Sequence, residues 1–430
     1  MRAKVFAVLL AGTALAVTSA AARDDDDDDG RFPSNPTFTT RAITPFAIEG
    51  LTGDAAGNLY TTGRQPAAPK GCPIWRIAAD GSRVTVAFVP NPTACNPSGI
   101  TFDRSGNLYV ADGAGAGTVW KVTPDATGCG SDDSTVGNCP SIPVASAFAT
   151  GVQGTNGIAF DRDGNLWTGD GTTGNGRVWR IRPAGGDCAT NNLTCEEVFR
   201  IQPMANVLDT TKSGGVANVG RDNRSLLPGT ISSTRAATNN LGSQPLVANG
   251  VAFTPHGDLY VADTARGAVW KVEFDRHGNV KSPMGCDSTF TANTLCLDAV
   301  LVAHPYLEGT DGIALDRAGN IWNAANERNA IVVVTRHGRG VVEFFRNPVN
   351  PDTTLRNAAQ KAEDNKHILE FPTSPFLLAR TLCVAQSDGD RRDNSPRAAG
   401  EVNGGTGDKR GKISCLDQDL GIPGLPLPVH

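Results

Sequence analysis

The sequence predicts an all-β chain, a six-bladed β-propeller with four-stranded blades, and three observations carry that expectation. One fifteen-residue phrase recurs five times: EGLTGDAAGNLYTTG from Glu49, SGITFDRSGNLYVAD from Ser98, NGIAFDRDGNLWTGD from Asn156, NGVAFTPHGDLYVAD from Asn249 and DGIALDRAGNIWNAA from Asp311. Each copy reads as an alternating apolar strand, a Gly-Asn or Gly-Asp turn and a second apolar strand, which is an antiparallel hairpin. The starts lie 49, 58, 93 and 62 residues apart, the spacing of four-stranded blades. From Thr37 onward, turn signals recur and amphipathic helical stretches are almost absent.

Within a unit the strands are expected at Gly99 to Asp103, Asn107 to Ala111, Thr118 to Val122 and Ile142 to Phe148. The third strand is marked by a recurring Trp, in IWRI at 74–77, VWKV at 119–122, VWRI at 178–181 and VWKV at 269–272. That Trp is read as packing between blades. A sixth, degenerate unit lies in FPTSPFLLARTLCVAQ at 371–386, whose opening residue falls at Pro372, Thr373 or Ser374 depending on register. The segment from Phe38 to Ile48 is placed to supply the outermost strand of the last blade, closing the ring and removing two sheet edges.

Residues 1–22 read as a signal peptide, with Arg2 and Lys4 ahead of the apolar run from Val5 to Val17 and small residues Ala20 to Ala22 at a cleavage site. Residues 23–36, with six aspartates from Asp24 to Asp29, read as an acidic disordered leader. Residues 37–387 are the propeller, with 204–244 an inserted Ser/Thr/Asn/Arg-rich loop resembling a lid, and 388–430 are expected to be an irregular tail. No later stretch approaches the ~20 apolar residues of a membrane span. The expected location is secreted or periplasmic.

The formal charge of −5 becomes −7 once Arg2 and Lys4 are removed. This mild acidity argues against nucleic acid and anionic membrane and leaves a small molecule as the expected partner. Ten cysteines in such a chain read as disulfides. Cys129 with Cys139, Cys188 with Cys195, and Cys286 with Cys296 are close pairs after third strands, and Cys72 with Cys95 and Cys383 with Cys415 are the remaining partners.

The residue that opens each repeat lies eight positions before the turn Gly. In a propeller the first strand of every blade lines the central channel, so Glu49, Ser98, Asn156, Asn249 and Asp311 are expected to converge on the axis. Glu49, Asn156, Asn249 and Asp311 offer only hard oxygen donors and a formal charge of −2, which suits Ca²⁺ or another divalent cation such as Mg²⁺. Singly, Asn, Asp or Ser before Gly is ordinary turn chemistry; the common offset, with Glu at one position, points to a metal site. Asp103, Asp161 and Asp316 before the turns, and Asp112, Asp170 and Asp263 after the second strands, read as structural hydrogen-bonding groups.

Glu49, Asn156, Asn249 and Asp311, each followed by Gly, resemble the family of senescence marker protein, gluconolactonase and luciferin-regenerating enzyme across roughly residues 46–386. The resemblance implies an axial divalent cation, usually calcium, and hydrolysis of an ester-like bond, above all a lactone. Asp311 is then the catalytic base or nucleophile. A carboxylate bound to calcium is a poor base, so His304 and Glu308, in the loop entering the same blade, are alternative proton acceptors. Ser98, Thr373 and Ser374 complete the pocket candidates. No G-x-S-x-G, H-E-x-x-H or P-loop motif competes. PSGITFDRSGNLYVAD also resembles repeats of the streptogramin lyases, against which blade count and the oxygen-donor set argue. A non-catalytic propeller with a structural axial calcium is the alternative function.

Overall fold

A computed structural model of the chain describes residues 32–64, 71–90, 95–130, 141–202 except 172, 174 and 192, 248–281 except 278, 293–346, 368–369, 371–387 and 410–427. Residues 1–22, read as a signal peptide, residues 23–31 of the acidic segment and residues 204–244 lie outside the described residues. Six sheets follow one another along the chain, each built on four antiparallel strands, with a short parallel fifth strand, Gly186–Asp187 or Thr294–Leu295, added outside blades 2 and 3. Blade 1 runs through Thr52–Gly53, Leu59–Thr62, Cys72–Ile77 and Arg83–Val89. Blade 2 runs through Pro97–Phe102, Leu108–Asp112, Thr118–Val122 and Ser146–Thr150. Blade 3 comprises Thr155–Phe160, Leu166–Asp170, Arg177–Ile181 and Cys195–Ile201. Blade 4 comprises Val251–Phe253, Leu259–Asp263, Ala268–Val272 and Val300–Ala303. Blade 5 comprises Thr310–Leu315, Ile321–Ala325, Ala330–Val334 and Val341–Arg346.

Blade 6 starts with Pro372–Leu378 and Thr381–Gln386, and its third strand is Lys412–Leu416. This corrects the expectation of an irregular tail beyond residue 388. A Gly/Asp/Arg-rich stretch separates the strand from its neighbours in sequence, and its short KISCL run lacks the Trp that marks the other third strands. The fourth strand is Phe38–Ile43, paired antiparallel with Lys412–Leu416 so that Phe38 faces Leu416 and Ile43 faces Lys412. The ring therefore closes as the sequence predicts, with every blade flanked by another.

The recurring turn is built the same way each time. Its Gly takes positive φ at Gly57, Gly106, Gly164, Gly257 and Gly319 (+82 to +98°), where an L side chain is disfavoured. The Asp that precedes four of these turns holds them. Asp316 accepts the Asn320 backbone N–H (2.9 Å), its Nδ2 (2.9 Å) and the Trp322 indole N–H (2.9 Å), and Asp161 does the same for Asn165 and Trp167. Asp112 and Asp263, after the second strands, accept the indole N–H of the third-strand residues Trp120 and Trp270. These aspartates are structural, as read.

The core is divided among the spaces between blades. One cluster joins Ile74 and Val86 of blade 1 to Ile100 and Leu108 of blade 2, another joins Trp322 and Ile331 of blade 5 to Leu377 and Val384 of blade 6, and a third joins Ile413 and Cys383 of blade 6 to Trp75 of blade 1. Trp75, Trp270 and Trp322 are fully buried, each contributing on the order of 1.5–3 kcal/mol by leaving water. Disulfides Cys72–Cys95, Cys188–Cys195 and Cys383–Cys415 form as expected. Cys129 and Cys296 are also disulfide-bonded, while Cys139 and Cys286 lie outside the described residues. Among the described residues, no helix is long and apolar enough to cross a membrane.

Candidate metal centre

The glycine after each opening residue sets the diameter of the central channel. A Cβ built on Gly50 would lie 2.1 Å from the Ser98 carbonyl oxygen, and one on Gly99 would lie 2.4 Å from that of Asn156. The same approach recurs from Gly157 to Asn249 (2.6 Å), Gly250 to Asp311 (2.5 Å) and Gly312 to Thr373 (2.5 Å). Each opener's carbonyl thus presses on the glycine of the preceding blade, and no side chain fits between them. This chain of contacts identifies Thr373 as the sixth opener, with Ser374 in the glycine position. Thr373 Oγ1 donates to the Glu49 carbonyl (2.7 Å), joining blade 6 to blade 1.

Pairing slips at these positions. The inner strand jumps from Thr155 to Ile158 while its partner moves only from Asp170 to Thr168, and the same bulge appears at 97–100 and 310–313. An extra residue bends the strand and takes the opener out of the sheet alternation. All six openers are buried: Glu49, Ser98, Asn156, Asn249, Asp311 and Thr373. The residues just after them, Gly50 and Leu51 through Ser374 and Pro375, line the channel.

The openers differ in what they do with their side chains. Ser98 Oγ lies 3.3 Å from the Asn156 carbonyl and the Thr373 hydroxyl is engaged on Glu49, so both close the ring. Asn249 Nδ2 donates to Thr264 Oγ1 (3.1 Å), which donates to the Thr310 carbonyl (2.7 Å). Asp311 Oδ2 accepts from Asn326 Nδ2 (3.1 Å). Arg64 Nη1 forms a short ion pair with Glu49 Oε2. Burial pushes the Asp311 carboxyl well above the usual carboxylate range, and the nearby Glu49 charge adds to this; Asn326, Arg64 and Asn249 oppose it.

Arg64, Thr264 and Asn326 were missed in the sequence, yet a signal for them exists. Each lies fifteen residues after its opener, at the exit of the second strand, as do Gly113 and Gly171. Gly171 makes room for Asn156: its Cβ would lie 2.5 Å from Asn156 Nδ2. The phrase therefore carries two rings, an inner one at its first position and a supporting one just past its last.

His304 and Glu308 are placed differently. His304 caps a short 3₁₀ turn, Pro305–Leu307, and its Nδ1 accepts the Tyr306 N–H (3.1 Å); burial, then Arg328, lowers its pKa. Glu308 is buried and lies 3.9 Å from Arg328, which also binds Glu343 (2.8 Å).

The donor set fits a hard divalent cation. Ionised together, the two carboxylates would bring more negative charge to a buried ring than Arg64 alone offsets, and such charge is costly without a counter-ion. Asn249 Oδ1 and Asn326 Oδ1 are buried acceptors that receive no hydrogen bond from the protein, an arrangement that costs about 1–3 kcal/mol per group unless another partner is supplied. Among the described residues no three His, Cys, Asp or Glu side chains gather at one point; half of this ring's donors are carboxamides.

A six-bladed β-propeller is the class that the fold defines. Residues 221–354 match the family model described as SMP-30/Gluconolactonase/LRE-like region, and the family resemblance read from the repeats is thereby borne out. Among solved structures, a luciferin-regenerating enzyme superposes with a TM-score of 0.51 at 13% identity, covering 92% of this chain and 99% of its own. A calcium-binding protein, regucalcin, from Agrobacterium tumefaciens gives 0.50 at 14% identity, covering 91% and 97%. At such identity these likenesses speak to the fold. No curated protein matches the chain.

Proposed function

We propose that the chain is an exported, calcium-dependent hydrolase of ester-like bonds, a sugar-lactone lactonase of the gluconolactonase kind. What supports the reading is that Glu49, Asn156, Asn249 and Asp311 are all buried at equivalent opening positions, with the Asn249 carboxamide oxygen lacking a donor. These four residues would hold the cation. When bound, a divalent cation supplies Lewis-acid polarisation of a carbonyl oxygen. Asn326 fixes the rotation of the Asp311 carboxylate through Oδ2, and Asp311 is assigned to take the proton of the attacking water or to attack the carbonyl itself. Disulfides among the described cysteines support an oxidising compartment, and with the leader they support export.

The test combines calcium calorimetry with a chromogenic lactone panel on wild type, Asp311→Asn and Glu49→Gln. Calcium-dependent turnover of a lactone, lost by about 100-fold or more in Asp311→Asn, is expected. Calcium binding without turnover of any lactone would favour the non-catalytic propeller, and no calcium binding would remove the site.

A further inference from the structure

Arg64 sets this ring apart, because it brings a permanent cation to one of the proposed ligands. Its guanidinium is charged at any working pH. Nη1 pairs with Glu49 Oε2, while Nε (2.9 Å) and Nη2 both donate to Asn96 Oδ1. Asn96 is itself anchored, its N–H donating to Asp112 Oδ1 (2.9 Å), the aspartate that also holds Trp120. The Arg64 N–H donates to the Ala47 carbonyl (2.8 Å), so both ends of the residue are fixed beside Glu49. The fork therefore spans from the first blade to the loop entering the second and cannot drift from the ring.

We propose that Arg64 is a resident counter-cation of the axial ring, and that its guanidinium and a divalent cation occupy Glu49 in alternation. The proposal rests on the axial reading above. Glu49 Oε2 cannot serve both groups, and a cation on Oε1 of the same buried carboxylate would stand within a few ångström of the guanidinium, where like charges repel and solvent screens little. With both carboxylates ionised, Glu49 and Asp311 sum to −2 and Arg64 leaves −1, so a divalent ion is attracted by the remainder but meets the Arg64 charge at Glu49. The ring thus has a counter-charge built in, which lowers its apparent affinity for the cation and spares it two uncompensated buried carboxylates. The Asn96 hold explains how the guanidinium can leave Glu49 without being lost from the mouth: two of its three nitrogens stay engaged.

The experiment is calorimetric titration of the full chain with CaCl₂ alone, for wild type, Arg64→Gln and Asp311→Asn, with circular dichroism confirming the fold. Arg64→Gln is expected to bind calcium about tenfold more tightly or better, a gain of about 1.4 kcal/mol, while Asp311→Asn loses binding. Equal or weaker affinity in Arg64→Gln, with Asp311→Asn still deficient, overturns the exchange and leaves the axial site standing. No binding by any form sinks the site itself and the exchange with it. Should Arg64→Gln not fold, wild type decides: the Arg64 Nε–H resonance, assigned through Arg64→Lys, shifts on adding CaCl₂ if the pair breaks and stays fixed if it does not.

Discussion

Gly250→Ala tests the ring geometry at its most informative point. The new Cβ would fall 2.5 Å from the Asp311 carbonyl oxygen and 2.9 Å from both Gly312 Cα and Ile313 N, all of them backbone atoms. Ordinary contact begins at 3.4 Å, so the inner strands of blades 4 and 5 must part by 0.9 Å, from 3.4 − 2.5. No rotamer relieves this, and the Gly250 N–H bond to the Asp311 carbonyl (3.0 Å) lengthens with it. Overpacking of this kind costs ~1–3 kcal/mol, which for a chain of this size lowers Tm by about 1–6 °C. Because the atom displaced belongs to Asp311, calcium affinity should fall as well. The assay is thermal melting beside calcium calorimetry, with Gly130→Ala as control, since a Cβ there meets nothing within 4 Å. A Gly250→Ala protein that melts and binds calcium like the control would refute the tight-ring argument.

Three further outcomes are expected. Calcium at about 100 times its Kd should stabilise the chain by ~2.7 kcal/mol, seen as a higher melting temperature that EGTA reverses; an unchanged melt with calorimetrically proven binding would contradict binding to the folded ring. The His304 pKa is lowered by burial and Arg328, so the unfolded chain binds the proton more readily. Its contribution to stability should therefore be present above the ordinary imidazole pKa, near 6.5, and be lost as pH falls through the lowered folded value. His304→Gln should flatten that limb of a pH-dependent melt. Cys383 and Cys415 are register partners joining the second and third strands of blade 6; replacing both by serine should cost about 3–4 kcal/mol by loop-entropy arguments, measured against the same chain under non-reducing conditions.

Much of the architecture was legible because the repeat is strict. A hairpin phrase with its Gly at a fixed offset needs positive φ at that Gly, and the five turn glycines have it. The strand at Thr118–Val122 lies where its Trp placed it. The third strand of blade 6 was hidden because its KISCL run sits far from its partners in sequence and depends on pairing with Phe38–Ile43 at the other end of the chain. The sixth opener was ambiguous among Pro372, Thr373 and Ser374, for want of a glycine to mark the register. Contact between Gly312 and the Thr373 carbonyl settles it.

For the candidate site the division has a clear physical basis. The sequence by itself determined which residues stand at equivalent places, Glu49, Ser98, Asn156, Asn249 and Asp311, because equivalence in a repeat is a matter of counting. It determined too that they are oxygen donors. What each does with its donor atoms was decided by the tertiary structure. Ser98 and Thr373 spend their hydroxyls on neighbouring carbonyls, Asn249 keeps its carbonyl oxygen free by giving its amide to Thr264, and Arg64 takes Glu49. Those outcomes depend on atoms from adjacent blades meeting within about 3 Å, where hydrogen bonds form. A linear repeat fixes the order of such groups, while their meeting requires the ring to close.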